Sequence, residues 1–127
     1  MKKFDLIHPT ESNRYSLFTS DLEDDSKILF HATPTENLNS IKNKGFLSSH
    51  ELYGSGLESV SYAFRSSSCL AHLNGKFDKG YVVFVVRFES LEVKEIVVNP
   101  SDIHVYRRFQ PTEIIGYCEI PLNFSYT

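Results

Sequence analysis

His31 and Thr33 stand where a short apolar run meets a helix signal. Residues 28–30 predict a buried strand, and residues 35–44 carry a helical pattern that ends at Gly45. Such a strand-to-helix corner leaves backbone amide groups free to bind a ligand. The corner is therefore a candidate binding site, although a buried histidine that only satisfies a neighbouring polar group is the plainer interpretation.

The start of the predicted helix carries its own signals. Thr33 is expected as the N-cap, with Pro34 at the first helical position and Glu36 completing a capping box. These signals would hold Thr33 and the histidine beside it in one place.

Two tyrosines follow the corner along the chain. Tyr53 lies in a polar loop, predicted over 47–59, that contains Gly54 and Gly56. Tyr62 lies in the next predicted strand. An exposed ring at either place is a candidate for contact with a ligand. Because the chain has 7 Tyr, 10 Phe and no Trp, a place in the core is an equal expectation for Tyr62.

Two carboxylates stand at the heads of late strands. Asp102 opens the strand 103–106, and Glu113 directly precedes the strand 114–120. A carboxylate in a cleft can stabilise a developing positive charge. The alternative for Asp102 is structural, because residues 99–102 read Asn-Pro-Ser-Asp, a typical turn sequence.

Several other chemistries are not supported. The glycines at 54 and 56 lack the third glycine and the strand context of a dinucleotide-binding fingerprint, and there is no P-loop. The serine run 66–68 lacks the nucleophile-elbow pattern. The other four histidines and the two cysteines show no metal-ligand spacing, so we expect no metal.

Composition sets the frame for these candidates. A chain of 127 residues with 41% hydrophobic residues fits a globular protein with one domain over 27–127, preceded by a polar segment over 1–26. The acidic stretch 21–25 reads as a solvated linker. We expect a cytoplasmic protein with no membrane segment. The net charge of −3 argues against bulk nucleic-acid binding, and the lysines and arginines read as dispersed or as local patches.

The elements that must position these residues form a mixed pattern. The chain predicts a short strand near 15–18, a helix after the serine run that ends at Asn74-Gly75, and a central strand over 81–88 that is apolar on both faces. Further short strands are expected over 60–64, 95–98, 103–106 and 114–120. Strands outnumber helices, which indicates an α+β domain whose later strands pair antiparallel.

Taken in order, these motifs resemble the ADP-ribosyltransferase superfamily in its histidine–tyrosine–acid branch, which includes the poly-ADP-ribose polymerases and diphtheria-toxin-like enzymes. The resemblance covers residues 28–120. His31-Ala32-Thr33 matches the family's His-Gly-Thr/Ser motif. Tyr62-Ala63-Phe64 and Ser66-Ser67-Ser68 match its Tyr-Phe-Ala strand and serine helix, and Asp102 matches the acid at a strand head.

The resemblance implies a fold of mainly antiparallel split sheets, with two short helices flanking an NAD cleft. It implies NAD as co-substrate and no metal. His31, with Thr33 in support, would bind a ribose hydroxyl, and the Ala32 backbone would meet the nicotinamide amide. Tyr53 and Tyr62 would stack on the nicotinamide ring, and Ser67 is also expected to contact the cofactor. Tyr62 is counted among the catalytic residues, with Asp102 first and Glu113 second as the acid.

The implied function is transfer of ADP-ribose from NAD to a macromolecular acceptor, a protein or a nucleic acid. Such a chain fits a toxin or phage-conflict effector, for which a neutralising antitoxin protein would be a partner. Two departures stand out: Ala32 replaces the usual glycine, and an aspartate stands where glutamate is usual. The alternatives are a non-catalytic module of the same fold that binds NAD, ADP-ribose or a partner protein, and a phosphotransferase acting on an RNA 2′-phosphate.

Overall fold

The computed structural model describes residues 1–73, 79–122 and 124. The described chain contains seven strands, four α-helices, and 3-10 turns at Glu11–Asn13 and Thr35–Asn37. The strands are β1 Lys2–Phe4, β2 Ile28–Pro34, β3 Ser59–Tyr62, β4 Tyr81–Arg87, β5 Ile96–Val98, β6 Ile103–Tyr106 and β7 Glu113–Ile120. The helices are α1 Ser20–Glu23, α2 Leu38–Lys44, α3 Ser49–Tyr53 and α4 Ser66–Leu73. None of these helices is long and apolar enough to cross a membrane.

The strands form two sheets. The larger has the order β1-β7-β4-β2, in which β1 pairs parallel with β7 and the other pairs are antiparallel. The smaller, β3-β6-β5, is antiparallel throughout. The prediction of a mixed α+β chain with mainly antiparallel pairing is therefore confirmed. The central position of the apolar 81–88 strand is confirmed too, because β4 lies between β2 and β7.

Buried side chains lie on both faces of the larger sheet. The first core cluster consists of Leu17, Phe18, Ile28, Phe30, Ala63, Cys69, Leu70, Leu73, Tyr81, Val83, Val85, Cys118 and Ile120. The second consists of Leu29, Ile41, Phe46, Val60, Tyr62, Val82, Phe84, Val86, Phe88, Ile96, Ile103, Val105 and Tyr117. Alternate residues of β4 enter the two clusters, which explains why its sequence is apolar without interruption.

The smaller sheet joins the larger one through a single bridge. Phe30 in β2 and Ala63, directly after β3, exchange two backbone hydrogen bonds of 2.9 and 2.8 Å. Within the described residues this pairing does not continue along the two strands. Beyond the bridge β2 and β3 therefore face each other as two open strand edges.

The connection between β2 and α2 differs from the prediction. Thr33 and Pro34 belong to β2, where they pair with Val82 and Tyr81. Thr33 is therefore not an N-cap, and no capping box forms with Glu36; a 3-10 turn leads into α2 instead. Pairing with the central strand β4 outweighs the local capping signal, and proline is tolerated at the end of an edge strand such as β2. The predicted end of the helix at Gly45 is confirmed, with φ of 78°.

Two other local predictions were wrong. The loop predicted over 47–59 contains α3, whose N-cap Ser48 forms a capping box with Glu51 and whose left-handed C-cap is Gly54. No strand forms near 15–18, because Arg14 and Tyr15 both adopt positive φ in a turn. The helix end predicted at 74–75 lies outside the described residues.

The polar segment 1–26 packs as part of the same fold. It supplies β1 to the larger sheet and Leu17 and Phe18 to the first core cluster. Glu23, predicted as part of a solvated linker, is only 3% exposed. Its carboxylate accepts hydrogen bonds from the Phe18 amide at 3.3 Å, the Ser66 amide at 3.1 Å and the Ser66 hydroxyl. It thereby satisfies the backbone at the start of α4.

We expect Glu23→Gln to lower the free energy of unfolding by about 1–3 kcal/mol, because the amide nitrogen replaces an acceptor that two buried donors use. Urea unfolding measures the change. Glu11→Gln, which alters the charge equally at an exposed position, is the control. Equal midpoints for the two variants would contradict this role for Glu23.

Candidate functional site

His31 lies near the middle of β2 and joins it to β3. Its Nδ1 is 2.6 Å from the carbonyl oxygen of Ser61. The ring packs edge-on against Phe46, at 5.4 Å between centroids, and tilted against Tyr62 at 5.5 Å. The imidazole is therefore fixed on one side by a backbone carbonyl and on the others by aromatic rings.

These contacts favour the neutral form of the ring. Burial lowers the pKa of His31 below its usual value, and the hydrogen bond to Ser61 only partly opposes this effect. A carbonyl oxygen can only accept, so Nδ1 of the neutral ring carries the proton and Nε2 is left as an acceptor. No described residue hydrogen-bonds to Nε2, which makes it available to the hydroxyl of a ligand.

Phe46, which supports the His31 ring, is itself held by a side-chain clamp. The Gln110 amide accepts from the Phe46 backbone N–H and donates to the Phe46 carbonyl, both at 2.8 Å. Gly45 allows this close approach, because a Cβ there would collide with the Gln110 side chain. A residue 64 positions along the chain therefore fixes one wall of the site.

The open edge of β2 presents Ala32. Backbone groups of a strand point alternately to its two edges. The N–H and C=O of Phe30 point toward Ala63, so those of Ala32, two residues on, point to the same edge, where β3 has separated. The Cys69 thiol, whose pKa burial raises to about 12, also lies beside the Ala32 backbone. The Ala32 backbone hydrogen-bonds to this thiol, an effect that lowers the thiol pKa and is outweighed by burial, so the N–H is the donor. A ligand carboxamide would therefore meet the Ala32 C=O and would share the N–H with Cys69.

Two adjoining cavities lie along these open edges. The Asp102 cavity has a volume of about 370 Å³ and is lined by Phe30, His31, Ala32, Leu57, Ser61, Tyr62, Ala63, Ser68, Cys69, His72, Ser101 and Asp102. The Tyr53 cavity, of about 360 Å³, shares His31, Ala32, Leu57 and Ser61 with it and extends to Thr33, Pro34, Glu36, Asn37, Leu47, Ser48, Ser49, Leu52, Tyr53, Ser59, Val60 and Lys79. Together they form the cleft, which is in the size range of small-molecule sites.

Asp102 lines the same cavity as the β2 residues His31 and Ala32. Its Oδ1 accepts from the Asn99 side chain at 3.1 Å, and its backbone carbonyl accepts from the Asn99 N–H at 2.8 Å. Its Oδ2 is 3.0 Å from Nε2 of His104. The residue therefore closes the turn before β6 and also lines the cavity, so the two interpretations of Asp102 are compatible.

The two tyrosines have different environments. Tyr53, at the end of α3, is 70% exposed and lines the Tyr53 cavity, where it is free to contact a ligand. Tyr62 borders the Asp102 cavity but is only 2% exposed, and its ring packs against Phe46 and Phe88. Alternation along β3 turns Tyr62 into the second core cluster. Burial raises the pKa of its hydroxyl, which has no partner among the described residues.

Ser67 and Glu113 are not brought to the cleft. Ser67 lines a separate cavity with Tyr15, whereas Ser68, one residue on, lines the Asp102 cavity. A run of three serines on a helix does not reveal which one faces inward. Glu113 is exposed at the start of β7, opposite Arg87, and borders neither cavity.

The cleft also contains residues that the sequence did not single out. His72 of α4 lines the Asp102 cavity one turn after Ser68, a spacing that places both on one helix face. Lys79 is the only lysine or arginine among the described residues that line the cleft. The arginines at 65, 87 and 108 form ion pairs with acidic residues, which favours dispersed charge over a basic patch. No described group of three or more His, Cys, Asp or Glu is placed to hold a metal.

Comparison of the chain with protein-family models, with curated proteins and with solved structures gave no significant match. The function is therefore argued from the geometry of the cleft.

The burial of neutral His31 predicts a stability that depends on pH. The folded pKa lies below the unfolded value of 6.5, so the contribution of His31 is complete above pH 6.5 and is lost as the pH falls toward the folded pKa. The test variant is His31→Asn, whose side-chain amide can still donate to Ser61 but does not titrate. When the pH falls from about 7.5 to about 5.5, we expect the free energy of unfolding to drop less in this variant than in the wild type. The difference should reach at most about 1.4 kcal/mol per pH unit.

Urea unfolding at the two pH values measures this difference. His50→Asn removes an exposed imidazole and should follow the wild type. A His31→Asn variant that is as sensitive to acid as the wild type would contradict the burial of a neutral ring.

Proposed function

We propose that the chain is an NAD-dependent ADP-ribosyltransferase. The observation that carries the proposal is one cleft in which a neutral imidazole, an open strand edge and a carboxylate meet. His31, Ala32 and Asp102 all line the Asp102 cavity. The order of these groups along the chain matches the motifs that suggested the family, and the split between the two sheets supports the corresponding fold.

Each group suits one part of NAD. The C=O of Ala32 would accept from the nicotinamide carboxamide, and the carboxamide oxygen would share the Ala32 N–H with the Cys69 thiol. Nε2 of His31 would accept from a ribose hydroxyl. Tyr53 at the mouth would contact a flat ring, at about 1 kcal/mol beyond its burial. The Ala32 methyl packs against the first core cluster, on the sheet face opposite to His31, so it leaves the backbone edge clear.

The reaction would proceed through a positively charged ribose. The bond between C1′ and the nicotinamide nitrogen breaks, and nicotinamide leaves with the bonding electrons. The Asp102 carboxylate stabilises the cation that develops on the ribose. The acceptor then forms a bond to C1′ through its own electron pair, and its proton passes to Asp102 or to solvent.

One observation favours a second candidate, a non-catalytic module that binds NAD or ADP-ribose. Tyr62, expected to stack on nicotinamide, is enclosed in the core instead. If only the Tyr53 ring contacts nicotinamide, the site would orient NAD less well for the reaction than a site with two stacking tyrosines. A phosphotransferase is disfavoured, because the described lining of the cleft offers one lysine and no arginine for a phosphate-rich substrate.

The first test incubates the pure chain with NAD labelled in the adenylate part, together with cell lysate. We expect release of nicotinamide and transfer of label to protein or nucleic acid. Asp102→Asn should lower the rate by about 10²–10³-fold, the usual effect of removing one electrostatic contact to a transition state. His31→Ala should also lower it.

The matched control is Glu113→Gln, which removes a carboxylate outside the cleft and should leave the rate within about twofold. Binding of NAD without nicotinamide release would support the binding module. The absence of both would refute the proposal.

Lys79 provides a separate prediction about binding. Its side chain is the cation that the described lining offers to the NAD pyrophosphate. Because the pyrophosphate does not react, we expect this contact to be equally strong in the ground state and in the transition state. We expect Lys79→Gln to raise KM for NAD by about tenfold with little change in kcat, as removal of one charge-assisted hydrogen bond would. Lys94→Gln, outside the cleft, should leave KM unchanged.

A further inference from the structure

His104 of β6 connects the head of its strand to β3. Its Nε2 is 3.0 Å from Oδ2 of Asp102, and its Nδ1 is 2.8 Å from the Ser59 hydroxyl. The Ser61 hydroxyl lies 3.4 Å from the same Nδ1. Both ring nitrogens are thus engaged, and only 20% of the side chain is exposed.

The strand register explains this contact. His104 pairs with Ser61 across β3 and β6. The N–H and C=O of Ala63 point toward Phe30, so those of Ser61, two residues earlier in the chain, also point away from β6. The Ser61–His104 pair is therefore a non-hydrogen-bonded pair, the kind in which the side chains approach most closely. The register of the sheet therefore places the hydroxyls of Ser59 and Ser61 beside the His104 ring.

The donors and acceptors then have one consistent arrangement for a neutral ring. An ionised carboxylate only accepts, so Nε2 of His104 carries the proton and donates to Asp102. Nδ1 is left as an acceptor, and the Ser59 hydroxyl donates to it. The chain of hydrogen bonds runs from Ser59 through His104 to the carboxylate.

Asp102 needs such support. Its side chain is 40% exposed, and an exposed aspartate at a strand head has several rotamers available. Asn99 holds Oδ1 and His104 holds Oδ2, so both oxygens are restrained. A carboxylate fixed in advance stabilises a developing charge better than one that must reorient.

We propose that His104 is a positioning residue, which holds the Asp102 carboxylate in the orientation that the transfer reaction requires. His104 itself borders neither cavity and acts through Asp102. This inference rests on the proposed function. The competing explanation is that the His104 hydrogen bonds only stabilise the smaller sheet.

Measurements of kcat and KM separate these two explanations. They are made on His104→Leu and His104→Gln, and on each of these combined with Asp102→Asn. A glutamine amide can reach the Nε2 position and donate to Asp102. We expect His104→Leu to lower kcat by roughly tenfold to a hundredfold with KM for NAD within about twofold, since misplacing a reacting group has an effect of this size. His104→Gln should recover most of the rate.

In the Asp102→Asn background, His104→Leu should cause little further loss, because the group it positions is already gone. An equal loss in both backgrounds, or a change confined to KM, would overturn the inference in favour of a role in the sheet alone.

A second measurement, on the protein without NAD, tests the same inference without relying on enzymatic activity. NMR couplings of the Asp102 β-protons should report one χ1 rotamer in the wild type and in His104→Gln, and averaged rotamers in His104→Leu. Imidazole ¹⁵N shifts should show the proton on Nε2. If the wild type releases no nicotinamide, the proposed function fails while the couplings still decide whether His104 orients Asp102. Unchanged couplings in His104→Leu would overturn the inference.

Discussion

The structure of the cleft depends on where the pairing between β2 and β3 stops. Phe30 and Ala63 exchange two backbone hydrogen bonds, and the next step of the ladder is missing. In its place the His31 side chain donates to the Ser61 carbonyl. A side chain thus takes over the position that backbone would occupy, and beyond the bridge the two strands line the cleft instead of pairing.

The core supports this arrangement at a distance. The His31 ring contacts Phe46 and Tyr62, and these contact Phe84 and Phe88 in turn. Pairs of this kind contribute about 0.5–1.5 kcal/mol each beyond their burial. Tyr62 therefore matters to the site as part of the wall behind His31, whether or not its ring meets a ligand. Asp102, by contrast, is held by hydrogen bonds to Asn99 and His104.

Local and periodic features were predictable from the sequence. The apolar run of β4 and the positive φ of Gly45 both follow from residue types over a few positions. Features that depend on distant partners were not. Glu23 looked solvated because its partner Ser66 is 43 residues away, and the hydrogen bonds of His104 required the register of β3 against β6. Thr33 failed as an N-cap because strand pairing outweighed a sound local signal. The motif order singled out His31, Ala32 and Asp102, which line one cavity, and their roles stay a prediction. The sequence could not show that Ser68 rather than Ser67 faces this cavity, because that depends on the rotation of α4 about its axis.

The parallel pairing of β1 with β7 affects how the molecule behaves among copies of itself. Without β1, β7 would be the outer strand of the larger sheet, and eight residues of unpaired backbone would template intermolecular association. The short N-terminal strand shields part of that length. Gly116 makes the shielding feasible, because any side chain at this position would collide with the backbone of Lys2. Gly116, which lines neither cavity, thereby lets a three-residue strand replace an eight-residue strand as the edge of the sheet.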